Sequence, residues 1–296
     1  MKRVLALLAA AAMVAGALIV RSRLDGGGDG GAPGSGPSGG GEAVSLVCVS
    51  EAMAACRRAA EGVADVTVVG ADAAATAATL SAASFDPAAG SVSAWVAPAA
   101  WAAIVSDTRR RELAAELFSG AAAEPLARSP LVMVAWADRA AALEAACGAP
   151  LGWRCVGDSA PAGWARLGGN AAWGAVKPGH RDPSRSATGL LTLGHLAASY
   201  FGRVEFASQD LPGEFSAWLG GLERQVPDFA PPAGSPLAQL LAQGPSAYDV
   251  VGDTEAEARA AVGTARYGDA LRVVYPQPAA VADLALHVVA AAPGAR

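Results

Sequence analysis

Lysine is almost missing from this chain: Lys2 and Lys177 are the only two in 296 residues, and histidine stops at three. Charged residues make up just 17% of the sequence. Setting aside residues 1–41 removes Lys2, Arg3, Arg21, Arg23, Asp25 and Asp29, which moves the formal net charge from −5 to −7. An acidic body without a basic stripe excludes nucleic acid and anionic membrane surfaces as main partners. After residue 20 no apolar run approaches the roughly 18–20 residues of a spanning helix, which excludes a polytopic membrane protein. The chain also lacks a GxSxG elbow, a Walker loop, an HExxH pair and a CxxC pair. His180-Arg181-Asp182 spells a kinase catalytic-loop triplet, but no glycine-rich phosphate loop or matching lysine accompanies it. These absences point away from an enzyme, and no cofactor is expected. His195 falls off the apolar stripe of its segment and reads as exposed.

Hydrophobic residues account for 53% of the sequence, far too many for a disordered chain. The length suits two modest lobes better than one small core.

Lys2 and Arg3 precede an apolar run over 4–20, and Arg21 and Arg23 follow it. This is the layout of an export signal or of an uncleaved N-terminal anchor, and Ala15-Gly16-Ala17 offers a small-residue cleavage site. We read 1–25 as that signal peptide or membrane anchor. Residues 26–42 read as a flexible Gly/Ser/Pro linker, and the ten glycines within 26–41 leave it nothing bulky to bury. Sixteen residues of such chain span roughly 20–24 Å. That suits a tether holding a folded body off a membrane, with an extracellular or cell-surface location.

The four cysteines fall into two pairs, Cys48 with Cys56 and Cys147 with Cys155. In an oxidising compartment local disulfides are the natural reading, though four cysteines allow three connectivities. Cys147–Cys155 is the better candidate, because it would close a loop containing Gly148, Pro150 and Gly152. Cys48–Cys56 would tie a strand end to the following helix across a wider backbone gap, with free buried thiols as the alternative. Neither pair has the spacing of a zinc site, and no metal is expected.

Strand-like runs at 44–49, 63–69, 91–96, 131–136, 171–176, 248–251, 271–275 and 284–289 alternate with helical segments at 51–61, 99–117, 138–146 and 186–201. Pro236 sits just inside a short helix capped by Ser235, and Thr254-Glu255-Ala256-Glu257 forms a capping box that opens another. Such alternation implies an α/β fold with mainly parallel sheets. Ligands in open α/β sheets bind beyond the carboxyl ends of strands, where helices begin and present unpaired N–H groups.

Several of these turns, taken in order, carry a pattern. Residues 46–50 lead into a helix; Trp95-Val96-Ala97-Pro98 with Trp101, and Ser129-Pro130-Leu131-Val132-Met133, follow. Asp182-Pro183-Ser184-Arg185-Ser186-Ala187-Thr188-Gly189 comes next. Tyr248-Asp249-Val250-Val251 with Glu255, and Val273-Val274-Tyr275-Pro276, complete the series. Together they resemble bacterial extracellular solute-binding proteins of the two-lobed, type 2 periplasmic-binding class, in the branch of molybdate- and sulfate-type binders. Actinobacterial relatives of that kind are often joined to a von Willebrand factor A domain. The resemblance covers about residues 44–289. It implies two α/β lobes around an interlobe cleft, lobe one from 43–131 and 270–296, lobe two from 132–269. It also implies capture of a small polar ligand (an oxyanion, a carboxylate-bearing or another polar organic solute) for an ABC permease. The alternative is a cell-surface interaction or sensory module on the same fold without a transport role.

The candidate ligand residues are Ser50, Ser84, Ser129, Asp182, Ser184, Ser186, Thr188 and Tyr248. Ser184, Ser186 and Thr188 add hydroxyls to the free N–H groups of a helix start. Ser50 stands where the first strand meets the first helix and also suits an N-cap. Ser84 occupies a comparable turn, which Ser81 would serve equally. Ser129 precedes the crossover strand. Tyr248 opens the last strand of lobe two and is equally at home in a core. Glu51, Asp182 and Glu255 lie near these positions, so the ligand is zwitterionic, neutral or cationic unless those acids point away.

Overall fold

The computed structural model of the chain describes residues 44–290, apart from 90, 113, 119–122, 124, 232 and 233. The N-terminal address and tether expected over 1–25 and 26–42 lie outside the described residues. Among the described residues no helix is long and apolar enough to cross a membrane.

The chain divides into two compact units, one comprising 44–126 with 284–290 and the other 127–283. In the first unit, β1 (Val44–Val49), β2 (Val66–Ala71) and β3 (Ala94–Pro98) run parallel. β8 (Val281–Val288) joins them antiparallel, with Ala94 opposite Val288 and Pro98 opposite Leu284. The strand order is β2-β1-β3-β8. β3 is buried at every position, as expected of a strand flanked on both sides. α1 (Met53–Ala60), α2 (Ala73–Ser81) and α3 (Ala99–Arg111) connect the strands. Asp72 caps α2 by accepting from the N–H groups of Ala74 and Ala75 at 3.0 and 3.2 Å. The pattern of apolar residues carries helix on to 117, yet α3 ends at Arg111. Arg109 turns inward there, 4% exposed, and donates to the carbonyls of Leu80, Ala82 and Ala115. Those bonds satisfy chain ends that a longer helix would displace.

In the second unit β4 (Pro125–Trp136), which the chain enters from the first, is the central strand. It pairs antiparallel with β6 (Val250–Thr254) and with β7 (Leu271–Val274), while β5 (Pro178–Gly179) pairs parallel with β6. Side chains alternate along β4: Met133 and Ala135 enter one core, Val132, Val134 and Trp136 the other. A sheet covered on both faces explains the unbroken apolar run that marked this strand. The first core receives Leu143 of α4 (Ala137–Cys147), Trp153 and Val156 of α5 (Trp153–Ser159), Leu196 of α6 (Ala187–Phe201) and Leu222 of α7 (Glu214–Glu223). The second receives Leu237 and Leu240 of α8 (Pro236–Gln243) and Ala258 of α9 (Glu255–Val262).

Two expectations need correction. The segment 171–176 is no strand: Asn170 caps a short 3-10 turn over Ala171–Trp173, and Gly174 at φ 71° ends it. The strand comes later and shrinks to Pro178–Gly179. The chain also returns to the first unit within β8, between 283 and 284, rather than between 269 and 270. β7 stays in the second unit because it pairs with the far half of β4, Val274 opposite Met133 and Leu271 opposite Trp136.

Both local disulfides form. Cys48–Cys56 joins β1 to α1 with the Cα atoms 6.6 Å apart, and Cys147–Cys155 joins the end of α4 to α5 at 5.9 Å. The strand-to-helix gap that made the first pair the weaker candidate still falls within disulfide reach.

Candidate functional site

Strand direction places most of the candidate residues of the second unit at one edge of its sheet. β4 runs antiparallel to β6 and β7, and β5 runs parallel to β6, so β5, β6 and β7 all end where β4 begins. That edge gathers the turn after β5 (180–186), the start of α9 after β6, Tyr275 after β7, and Ser129 on the incoming stretch of β4. This is the edge at which open α/β sheets bind ligands.

The turn at 182–189 is built by its own side chains. Asp182 accepts through Oδ1 from the Ser184 N–H at 2.8 Å and the Ser184 hydroxyl at 2.6 Å. Its carbonyl accepts from the N–H groups of Arg185 and Ser186. Ser186 is the N-cap of α6, its Oγ accepting from the Gly189 N–H at 3.0 Å. Thr188 is 5% exposed, and its carbonyl accepts from the Thr192 hydroxyl. Gly189 explains the glycine that ends the segment. A Cβ built there would lie 2.6 Å from the Arg181 carbonyl oxygen and 2.7 Å from that of Asp182. The first turn of α6 rests directly on the backbone of the loop.

Against this turn lies a recess of about 210 Å³, lined by Arg181, Asp182, Arg185 and Ser186 on one side and by Phe229 and Pro236 on the other. Pro236 is the first residue of α8, whose cap Ser235 accepts from the Ala238 N–H at 3.1 Å. Two helix N-termini, α6 and α8, therefore meet at one recess, and both present the positive end of a backbone dipole. Arg181 reaches Asp253 of β6 at 3.4 Å, while its Nε is buried without a hydrogen-bond partner. Behind the recess the imidazole of His180 is wholly buried. Its Nδ1 donates to the Arg181 carbonyl at 2.9 Å, and its Nε2 meets Glu223 Oε1 at 3.0 Å. Burial works against a charge on this ring, but the Glu223 hydrogen bond and carboxylate outweigh it, so the His180 pKa is raised above the ordinary histidine value.

The acids near the site are engaged locally. Asp182 is held by Ser184, and Glu255 Oε1 accepts from Arg259 Nε and the Tyr275 hydroxyl, each at 2.6 Å. Ser129 Oγ accepts from the Ala256 N–H at the start of α9 at 3.0 Å, which places it at the same edge.

The remaining candidates lie elsewhere. Tyr248 is a core residue: it is 1% exposed, sits before β6 at the opposite edge, and donates to the Asp228 carbonyl. Burial pushes its phenol up to about 12. Ser50 and Ser84 belong to the first unit. Ser50 is exposed just after β1 and donates to the Ala71 carbonyl at 3.2 Å; Ser84 is exposed in the turn after α2. His195 is not exposed but 2% accessible on α6, its Nε2 donating to the Pro278 carbonyl at 2.9 Å. The 275–280 segment covers a helix face that periodicity alone leaves to solvent. Arg181, Phe229 and the start of α8 are not legible as neighbours in the sequence, because β5–β6 pairing brings Arg181 beside Phe229 and Pro236; the Ser235-Pro236 cap is the one local sign.

No protein-family model matches the chain, and no curated protein does. Solved structures do. It is similar to the periplasmic binding protein AfuA from Actinobacillus pleuropneumoniae, whose structure holds fructose-6-phosphate, with 11% identity and a TM-score of 0.53 over 85% of this chain and 75% of that one. It is also similar to an ABC-transporter solute-binding protein from Agrobacterium vitis with bound D-mannitol, with 12% identity and a TM-score of 0.50 over 86% of this chain and 70% of that one. At these identities the likeness concerns the fold, which is the α/β fold of periplasmic solute-binding proteins.

Proposed function

We propose that the protein is an exported solute-binding protein that captures a small polar ligand for an ABC-type permease, without chemistry of its own. The observation that carries this reading is the recess between the N-termini of α6 and α8. Its polar lining is Arg181, Asp182, Arg185 and Ser186, and Phe229 supplies an apolar wall. Arg181 is balanced by Asp253, and Asp182 stands beside Arg185, so the recess is polar with mixed charge rather than strongly cationic. That composition suits a hydroxyl-rich, carboxylate-bearing or phosphate-bearing solute; the similar structures hold a sugar phosphate and a polyol. Two disulfides support passage through an oxidising compartment. The N-terminal apolar stretch and the glycine-rich linker then act as address and tether. The order of the turn motifs supports a place beside the molybdate- and sulfate-type binders, with a von Willebrand factor A domain as a further partner.

The test is a thermal-shift panel on the full chain with polyols, sugar phosphates, amino acids, inorganic phosphate and sulfate. A ligand at 100 times its Kd adds about 2.7 kcal/mol to the folded state and raises the melting temperature by several degrees. One class is expected to do so, and Ser186→Ala is expected to weaken it. A folded protein that no class shifts would overturn the reading.

A further inference from the structure

His180 touches two residues that line the recess. Its Nδ1 donates to the Arg181 carbonyl, and its ring meets Phe229 edge-on with the centroids 5.3 Å apart. Its third contact, Glu223 Oε1 at Nε2, comes from the last residue of α7. A carbonyl oxygen only accepts, so the proton on Nδ1 is fixed. An ionised Glu223 also only accepts, so facing that carboxylate Nε2 carries a proton as well and the ring is an imidazolium. The charged groups around it are Glu223 on α7, Asp182 in the following turn, and Arg181 with its partner Asp253 on β6. Removing the Nε2 proton would set an acceptor against an acceptor, with the imidazole shielded from water and Glu223 only partly so.

We propose that His180 is the positioning residue of the recess: its imidazolium holds α7, Phe229 and the Arg181–Asp182 turn together, and loss of its proton slackens the wall. The proposal rests on the reading of the recess as a ligand site, but its main test does not need the ligand. The full chain is labelled with isotopic histidine and para-fluorophenylalanine and titrated by NMR. Both ring nitrogens of His180 should be protonated at neutral pH, with a midpoint above that of a solvent-exposed histidine. The Phe229 fluorine resonance, assigned with Phe229→Leu, should move with that same midpoint. His180→Gln should abolish the movement. Glu223→Gln, a milder change at a partly exposed residue, should lower the midpoint. A bare Nε2 at neutral pH, or a Phe229 signal that ignores the His180 titration, overturns the proposal.

A second arm separates the two readings, using melting shifts with fructose 6-phosphate, D-mannitol and sulfate on either side of the His180 midpoint. If Phe229 follows His180 yet no compound shifts the protein at any pH, the positioning role stands and the ligand reading fails. If a compound shifts wild type and His180→Gln equally at both pH values, the ligand reading stands and the positioning role fails.

Discussion

The α-carbon of Gly189 is so close to the carbonyl oxygen of Arg181 that a methyl group on it would stand 2.6 Å away. Both partners are backbone or backbone-anchored, so neither can swing aside. Gly189→Ala is expected to destabilise by about 1–3 kcal/mol despite alanine's better helix propensity. Gly194, five residues along the same helix, is exposed with nothing within 4 Å of a built Cβ. Gly194→Ala should stabilise by about 0.5–1 kcal/mol. Urea unfolding of the two variants reads opposite signs, and equal signs would refute the contact.

The two buried histidines of the second unit should give stability two limbs of opposite sign against pH. His180 has its pKa raised, so its contribution is full below the ordinary histidine value of about 6.5 and is lost as pH rises through the raised one. Burial lowers the pKa of His195, against the smaller pull of the Pro278 carbonyl. Its contribution is full above about 6.5 and is lost as pH falls through the lowered one. Melting temperature measured across pH should lose its alkaline decline in His180→Gln and part of its acid decline in His195→Gln.

Asp249 is wholly buried and serves four partners. Its Oδ2 accepts from the Lys177 N–H at 2.9 Å and from Trp164 Nε1 at 3.1 Å; Arg139 Nε and Lys177 Nζ stand at 3.4 and 3.6 Å. Arg139, 6% exposed, also stacks 3.6 Å from the centre of the Trp173 ring. Asp249→Asn leaves that guanidinium with the half-exposed Asp138 as its remaining carboxylate and should cost about 1–3 kcal/mol by chemical denaturation. Adding Arg139→Leu should recover part of the loss, and a double variant worse than the sum of the singles would contradict the pairing.

Reduction of the disulfides tests the export reading from the side of stability. Each bridge closes a short loop and should contribute about 2–4 kcal/mol. Cys48→Ser with Cys56→Ser, and separately Cys147→Ser with Cys155→Ser, should each lower the melting temperature in oxidising buffer. In reducing buffer each pair should melt close to reduced wild type. A pair with no effect would mean that its bridge does not form in solution.

Much of this architecture is legible in the sequence, and the gaps have physical causes. β1, β4, β6 and β7 announce themselves because an apolar run between capping residues has few other uses. The Asp182 turn is legible for the same reason: aspartate, serine and glycine at those spacings make their own hydrogen bonds, whatever the rest of the chain does. Tyr248 and His195 were not readable, because their burial depends on partners distant along the chain, Asp228 and Pro278. Phe229 is a recess wall only by virtue of what β5 brings beside it. Arg109 likewise reads as one of three surface arginines until Leu80 and Ala82 supply their carbonyls.

The discontinuity of the first unit constrains the order in which this protein can mature. The stretch 127–283 is contiguous and can close its core as soon as it has been synthesised. β3, buried along its whole length, must meanwhile wait for β8, its neighbour in space but separated from it by that entire stretch. Until the last strand emerges, an apolar edge with unpaired amides stays open to any passing chain. A nascent polypeptide arrested near residue 280 should therefore aggregate through β3, and a synthetic peptide matching 281–290 should suppress that association.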